Sequence, residues 1–275
     1  MLIARYVTMA AGLGFSATPF AAAGLGPPTL EQGYHHMYNL EFDEAHRVFN
    51  AWEQLHPDDP LAPASNAAAY LFAELDRLHI LETELFVNDG TFSGMQRPAA
   101  DPRVKLAFER EVARAGELAD AALARSSQAT HALFAKVLVA GLRSDYAGLI
   151  EKRYLASVAA MKTGRALAEK LLAIDPSYYD AHLAIGVENY MLSLRPAPVR
   201  WLLSLGGART DRQQGLAKLR LAAEKGHYLA PFAKLLLAVA ALRDKDAERA
   251  RRLLDGLARE FPHNRLYARE LARLR

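Results

Sequence analysis

Two Asp-x-x-His steps are the residues best suited by type and spacing to bind a metal ion. They are Asp43 with His46 and Asp76 with His79. Residues three apart lie on one face of a helix, so a carboxylate and an imidazole at this spacing could share one divalent cation. However, Asp is also a normal residue at the start of a helix, where Asp43 stands. We therefore expect solvated helix faces here, with neither a metal site nor a cofactor.

The short motifs that mark common enzyme classes are absent. The sequence contains no phosphate-binding loop and no G-x-G-x-x-G, G-x-S-x-G or H-E-x-x-H pattern. It has no cysteine, which excludes disulfides, thiol nucleophiles and thiolate metal sites. We expect a protein that is not an enzyme, while buried carboxylates that converge inside a helical fold are the enzymatic alternative.

Two groups rich in Tyr and His are candidates for binding a protein or an extended peptide. They are YHHMYN at residues 34–39 and SYYDAH at residues 177–182. Tyr combines a flat apolar ring with a hydrogen-bonding tip, which is typical of interface anchors. The candidate residues are Tyr34, His35, Tyr38, Tyr178 and Tyr179. The alternative is that these side chains pack between helices.

Residues 195–212 combine basic, apolar and helix-breaking residues. The run RPAPVRWLLSLGG has two prolines, a Trp-Leu-Leu cluster and a double glycine. The candidate binding residues are Arg195, Arg200, Trp201, Arg209 and Arg212. Guanidinium groups bind phosphate or carboxylate bidentately, and Trp favours membrane interfaces, so an anionic or lipid-like ligand or a membrane surface is expected. The alternative is a buried helix whose arginines pair with acids such as Glu188 and Asp211.

Charge is unevenly distributed along the chain. The formal net charge is +3, yet residues 195–275 carry 18 Lys and Arg against 8 Asp and Glu. The C-terminal third is therefore the better candidate for an anionic partner, although basic residues that solvate an outer face explain the same pattern. We expect no nucleic-acid partner.

The N-terminal residues resemble an export signal. Residues 1–30 contain one basic residue, Arg5, and no acid, and an apolar run there is followed by Pro19 and a small-residue stretch. This pattern predicts a signal peptide at residues 1–23 and a mature chain that begins near Gly24. An uncleaved anchor and an ordinary first helix are the alternatives. Cleavage would make the protein exported, periplasmic or outer-membrane associated in a Gram-negative source.

An all-α fold is expected from composition and periodicity. Ala and Leu dominate, and segments rich in β-branched residues are nearly absent. The segment RDKDAERARRLLDGLAREFP carries an apolar stripe at helical period. Along this stripe, a small residue is followed by two apolar residues and a proline, at spacings of four, three and five. We call these four positions the seam, and the same pattern occurs twice more in the chain. The three copies are Ala45, Phe49, Trp52 and Pro57; Gly164, Ala168, Leu171 and Pro176; and Ala250, Leu254, Leu257 and Pro262.

These seams resemble the second helix of the tetratricopeptide repeat. Gly33 and Gly186 stand where the first helix of such a repeat has a glycine. The resemblance implies a right-handed α-solenoid of helix pairs, whose first helices line a concave groove. We expect one domain over residues 24–275 with an inserted element at about 187–215. We also expect Trp52, as a seam residue, to be largely buried.

The stretch GVENYMLSLRPAPVRWLLSLGGARTDRQQGLAKL is similar to a run in one group of such proteins. These are the relatives of the inclusion body clearance protein and the tetratricopeptide repeat 39 proteins. The shared positions are Gly186, Val187, Tyr190, Leu192, Ser193, Leu194, Pro196, Gly206, Gly207, Asp211, Arg212, Gly215 and Leu216. The resemblance implies an interaction protein associated with lipid and protein-aggregate handling at membranes.

Taken together, these patterns predict a non-catalytic helical-repeat scaffold that binds a protein or peptide partner. The alternative function is a carrier or sensor of an anionic or lipid-like small molecule, or binding to a membrane interface through residues 195–212.

Overall fold

The computed structural model describes residues 27–80 and 99–274, and twelve α-helices and no strand are found there. The helices are α1 (Leu30–Tyr38), α2 (Phe42–Leu55), α3 (Leu61–Arg77), α4 (Pro102–Arg125), α5 (Thr130–Asp145), α6 (Tyr154–Ile174), α7 (Ala181–Ser193), α8 (Ala197–Leu205), α9 (Arg212–Lys225), α10 (Ala230–Arg243), α11 (Ala247–Glu260) and α12 (Arg265–Arg273). A π-helical turn, Tyr146–Ile150, continues α5. The all-α prediction is confirmed for this part of the chain. The predicted signal peptide lies outside the described residues.

The three seams are the buried stripes of α2, α6 and α11. Each of these helices ends two residues before the proline, which cannot donate a helical hydrogen bond. The first two residues of every seam are fully or almost fully buried, and so are Leu171 and Leu257. Trp52, which was expected to be largely buried, is partly buried and packs against the core. Its Nε1 donates to Asp59 Oδ2 at 2.9 Å, and its ring lies 4.1 Å from that of His56.

The same seam spacing recurs in α4 and α9 without the terminal proline. In α9, Gly215, Leu219 and Ala222 are buried at spacings of four and three. In α4, Ala115 and Ala119 are completely buried. Both copies lack the proline that marks the other three seams, so they were not predicted from the sequence.

Helices of two kinds form the structure. In α3, 12 of 17 residues are buried, whereas only three of the 14 residues of α11 are. The helices α5, α7 and α10 resemble α3, and α2, α4 and α6 resemble α11. A helix that is apolar on most faces is covered on most sides, and an amphipathic helix covers it from outside. The chain therefore alternates inner and outer helices over most of its length.

The end of the first helix contacts the turns that precede α10 and α12. The Tyr38 hydroxyl donates to the backbone carbonyl of Tyr228 at 3.0 Å, and Asn264 Nδ2 donates to the carbonyl of Tyr38 at 2.8 Å. The backbone N–H of His263 donates to Asn39 Oδ1 at 3.1 Å. We call these contacts the closure, since they join residues near the two ends of the described chain.

The space inside the closure is filled by side chains. The rings of Tyr34 and Tyr228 stack with centroids 5.0 Å apart, and Phe72 meets Phe232 at 5.5 Å. A cavity of about 20 Å³ lies beside Tyr38, which is room for about one water molecule. The inner helices therefore pack against one another here and leave no room for a peptide.

Candidate functional site

The Tyr and His candidates do not form one exposed surface. The prediction that Tyr34 and Tyr38 line an open groove is wrong, because both side chains are only 4% exposed and pack within the closure. Tyr178 is partly buried against Phe134, with ring centroids 4.9 Å apart. Because the interior is closed, these rings serve as core residues.

The other two candidates lie at the edges of the core. The ring of Tyr179 is partly buried and lies 5.0 Å below the ammonium group of Lys225. The side chain of His35 is exposed, and its ring centroid lies 5.4 Å from that of Phe261. Neither residue shares a surface with the buried Tyr34 and Tyr38.

In each Asp-x-x-His pair, one side chain contacts a residue outside the pair. His46 Nδ1 lies 2.8 Å from Asn66 Oδ1, and Asp76 accepts from Arg265 at 2.6 Å. Within residues 27–80 and 99–274, no three His, Asp or Glu side chains are arranged to hold a metal ion.

The basic segment forms α8, a helix that does not pack along any other helix of the described chain. The side chains of Val199, Trp201 and Leu205 are 42%, 65% and 66% exposed. Trp201 and Leu205 are four residues apart, so they lie on the same face of α8. The alternative of a helix buried within the stack therefore does not hold. Large apolar side chains clustered on an unpacked helix are typical of an interaction surface.

A buried ion pair anchors the end of this element. The guanidinium of Arg165 lies 2.6 Å from Glu188 Oε2, and the Glu188 side chain is completely buried. Glu188 Oε1 also accepts the backbone N–H of Arg209 at 3.1 Å, and Arg165 Nη2 donates to the Gly207 carbonyl at 3.2 Å. Lys162 donates to the carbonyl of Gly206. The chain that returns from α8 is thus held against α6 and α7 while α8 itself remains exposed.

Helices α7 and α9 meet at a glycine, as α1 and α2 do. A Cβ atom at Gly186 would lie 2.9 Å from Leu219, and one at Gly33 would lie 2.2 Å from the ring of Phe49. In both pairs, a glycine of the first helix therefore receives the middle seam residue of the second. The residues between α7 and α9 interrupt an otherwise similar helix pair.

The predicted arginines have different environments. Arg212 pairs with Asp244 and lies over the Tyr190 ring at 5.8 Å from its centroid, so its charge is already partnered. Arg200 Nη1 donates to the carbonyl of Arg195 at 3.0 Å. The side chains of Arg195 and Arg209 are exposed, and neither makes a hydrogen bond or ion pair with the described residues.

An open groove of about 360 Å³ lies where the chain returns from α8. Leu172, Ala173 and Ile185 contribute apolar surface, while Arg209, Gln214 and Lys218 contribute polar groups. Glu169 and Asn189 complete the lining, and of these eight residues only Arg209 was predicted from the sequence. The other seven belong to three helices, and their own spacing gives no signal that they meet.

His182 lies close to the same part of the fold. Its side chain is 8% exposed, and its Nδ1 atom has no hydrogen-bond partner in the structure. Burial, together with the positive charge of Lys218, lowers the pKa of His182. The charge of Lys218 therefore reaches the buried imidazole of His182.

Two buried carboxylates, Asp180 and Glu74, hold backbone groups in place. Asp180 accepts the backbone N–H groups of His227, Tyr228 and Leu229 at 2.8–3.1 Å and so holds the turn before α10. Burial raises the pKa of Asp180, and these three hydrogen bonds oppose the shift. Glu74 similarly binds Arg77 and accepts the backbone N–H of Asp101. Such acids stabilise turns and helix ends.

None of the helices in the described ranges has the length and apolarity needed to cross a membrane. No protein-family profile matches the chain, and no curated protein matches it significantly.

Proposed function

We propose that the protein is a non-catalytic helical-repeat protein that attaches to an anionic membrane surface through α8. The observation that carries this proposal is the exposure of Val199, Trp201 and Leu205 on a helix that does not pack along any other helix within residues 27–80 and 99–274. Keeping such side chains in water is unfavourable, and their transfer to an apolar environment would recover about 25 cal/mol per Å².

Charge favours an anionic lipid surface as the occupant. Residues 189–210 contain three arginines and no acid, and the nearest upstream acid, Glu188, is already bound to Arg165. Each basic residue near an anionic membrane contributes about 1 kcal/mol of attraction. Trp favours the headgroup region, and arginines extend towards the phosphates. With nine residues, α8 is too short to span a bilayer and would lie in its interface.

The repeat architecture proposed for the chain is a right-handed α-solenoid of tetratricopeptide-like helix pairs. Its support is the repeated seam, the alternation of inner and outer helices, and the glycine contacts of Gly33 and Gly186. The likeness to the inclusion body clearance and tetratricopeptide repeat 39 proteins includes the α8 segment, and it implies lipid handling at membranes. The predicted export signal would place this element outside the cytoplasm.

A non-catalytic role is supported by the carboxylates. The buried Asp180 and Glu188 are engaged by backbone donors or by an arginine. These acids therefore lie in separate structural contacts, whereas glycoside hydrolysis typically requires two carboxylates that flank one substrate.

A protein partner is the second candidate occupant of α8. Trp and Arg are the most common energetic anchors of protein interfaces, and Trp201 with its neighbouring arginines has that composition. A partner of this kind would dock on α8, because the inner surface near Tyr34 and Tyr38 is filled.

Vesicle flotation tests the proposal directly. The chain and its Trp201→Ser/Leu205→Ser variant are mixed with vesicles of phosphatidylglycerol and phosphatidylcholine, or of phosphatidylcholine alone. We expect wild-type flotation with the anionic vesicles, weaker flotation at 0.5 M salt, and at least a tenfold loss in the variant. Leu55→Ser/Leu106→Ser removes two other exposed leucines and should float like the wild type. Equal flotation of all three proteins would disprove attachment through α8.

A further inference from the structure

The groove beside the inserted element combines two cations with an apolar floor. The side chains of Arg209 and Lys218 form no hydrogen bond or ion pair with residues of the described chain. Leu172 and Ile185 lie in the same groove. The groove is open to solvent and has a volume of about 360 Å³.

These groups define the chemistry of a matching ligand. Two cations without carboxylate partners favour a group with one or two negative charges, and a guanidinium binds phosphate oxygens bidentately. Leu172, Ala173 and Ile185 favour an alkyl segment next to that group. Glu169 also lines the groove, but Arg165 donates to both of its carboxylate oxygens, at 3.0 and 3.1 Å. Arg165 is shared between Glu169 and Glu188, so it offsets only part of the Glu169 charge, and the positive excess of the groove comes from Arg209 and Lys218 together.

The groove is continuous with the end of α8. The chain that leaves α8 is held at the carbonyl of Gly207 by Arg165, and Arg165 also binds Glu169 at the groove wall. Arg209 follows two residues after Gly207 and lines the groove itself. An amphiphile in the groove would therefore lie beside the helix that we expect to contact lipid.

We propose that this groove binds the phosphate group of a single-chain amphiphile between Arg209 and Lys218, with its first methylenes on Leu172 and Ile185. The proposal deepens the proposed membrane attachment and rests on it for the source of the ligand, since a membrane supplies such molecules. A lipid headgroup and a free phosphate share the anionic chemistry, and the alkyl segment distinguishes them.

Calorimetric titration with hexyl phosphate, inorganic phosphate and hexanol tests this inference on the full chain. Hexyl phosphate should bind about tenfold more tightly than inorganic phosphate, because burying two methylenes gives about that gain. Hexanol should not bind measurably. Arg209→Gln/Lys218→Gln should weaken hexyl phosphate binding at least about tenfold through the loss of two charge-assisted contacts.

Lys170→Gln/Arg220→Gln is the matched control. It removes two exposed cations from α6 and α9 that do not line the groove, and it should bind within twofold of the wild type. Thermal melts of both double variants check that they fold. Absence of hexyl phosphate binding, or binding equal in the wild type and in Arg209→Gln/Lys218→Gln, would overturn the proposal. Equal affinity for inorganic and hexyl phosphate would overturn the amphiphile and leave a free phosphate as the ligand.

The α8 variant separates this inference from the proposed function. Trp201→Ser/Leu205→Ser should keep hexyl phosphate binding within twofold while it loses vesicle flotation. Hexyl phosphate binding by a wild type that does not float would refute membrane attachment and support the groove. Flotation of a wild type that does not bind hexyl phosphate would refute the groove alone.

Discussion

The hydroxyl of Tyr38 donates a hydrogen bond to the backbone carbonyl of Tyr228 across 190 positions of sequence, at 3.0 Å. The carbonyl of Tyr38 in turn accepts from Asn264 at 2.8 Å. Tyr38 in α1 is thus hydrogen-bonded both to Tyr228, just before α10, and to Asn264, which caps α12. Terminal repeats of an open stack contact a neighbour on one side only. The closure instead gives α1 partners from both directions, so we expect the two ends of the described chain to be coupled in stability.

Replacing Asn264 tests this coupling. Its Oδ1 caps α12 by accepting from Leu266, and its Nδ2 binds Tyr38, so Asn264→Ala should lower the free energy of unfolding by about 2 kcal/mol. Hydrogen exchange in α1 should also accelerate. Asp246→Ala removes the cap of α11 without touching the closure, and it should leave exchange in α1 unchanged. Unchanged exchange in α1 for both variants would contradict the coupling.

Two glycine substitutions should have opposite effects on the free energy of unfolding, because the two glycines have different surroundings. A Cβ at Gly33 would lie 2.2 Å from the Phe49 ring, so Gly33→Ala should cost about 2 kcal/mol or more through overpacking. A Cβ at Gly256 in α11 would meet nothing within 4 Å, so Gly256→Ala should stabilise by about 0.5–1 kcal/mol through helix propensity. Urea titration measures both. A Gly33→Ala protein as stable as the wild type would show that the two helices are further apart.

Removing one partner of the buried ion pair between Arg165 and Glu188 should lower the stability of the fold. Glu188→Gln leaves Arg165 with only Glu169 as a carboxylate partner, and its expected cost is about 3 kcal/mol. Glu248→Gln breaks an exposed pair with Arg252, and its expected cost is below about 0.5 kcal/mol. Similar losses for both variants in denaturant titration would mean that Glu188 is solvated.

Acid should weaken the contacts of Glu41 with His36 and His263, which lie next to the closure. Hydrogen bonds from His263 and His36 hold the pKa of Glu41 below its usual value of 4.5. A lowered pKa means that the folded state favours the ionised carboxylate. Its contribution is therefore fully present above about pH 4.5 and is lost as the pH falls through the folded-state pKa.

Comparison with Glu41→Gln isolates this effect. The stability difference between the wild type and Glu41→Gln should shrink as the pH falls from about 5 through the folded-state pKa of Glu41. A difference that grows on acidification would contradict the assigned sign.

The sequence predicted local features well because periodicity reports local burial. The seam of α11 was identified from the spacing of Ala250, Leu254 and Leu257, and all three are completely buried. The same spacing assigned Trp52 to the seam of α2. Trp52 is partly buried there, and its indole N–H binds the partly exposed Asp59.

Long-range contacts were beyond the sequence patterns. Nothing in the spacing around Tyr38 shows that it meets residues about 190 positions later, so a closed interior was not foreseen. The exposure of α8 was suggested by its composition, because prolines and glycines flank a Trp-Leu cluster. The groove was missed because Arg209, Ile185 and Lys218 meet only after three segments pack together.

Trp201 provides the most direct measurement of membrane contact. The chain has two tryptophans, so Trp52→Phe leaves Trp201 as the single indole. On addition of anionic vesicles at low salt, its emission should shift to shorter wavelength and be quenched by lipids brominated near the headgroup end of the acyl chain. High salt should reverse both effects. Emission that stays at its aqueous wavelength and is not quenched by these lipids would contradict attachment of the protein through α8.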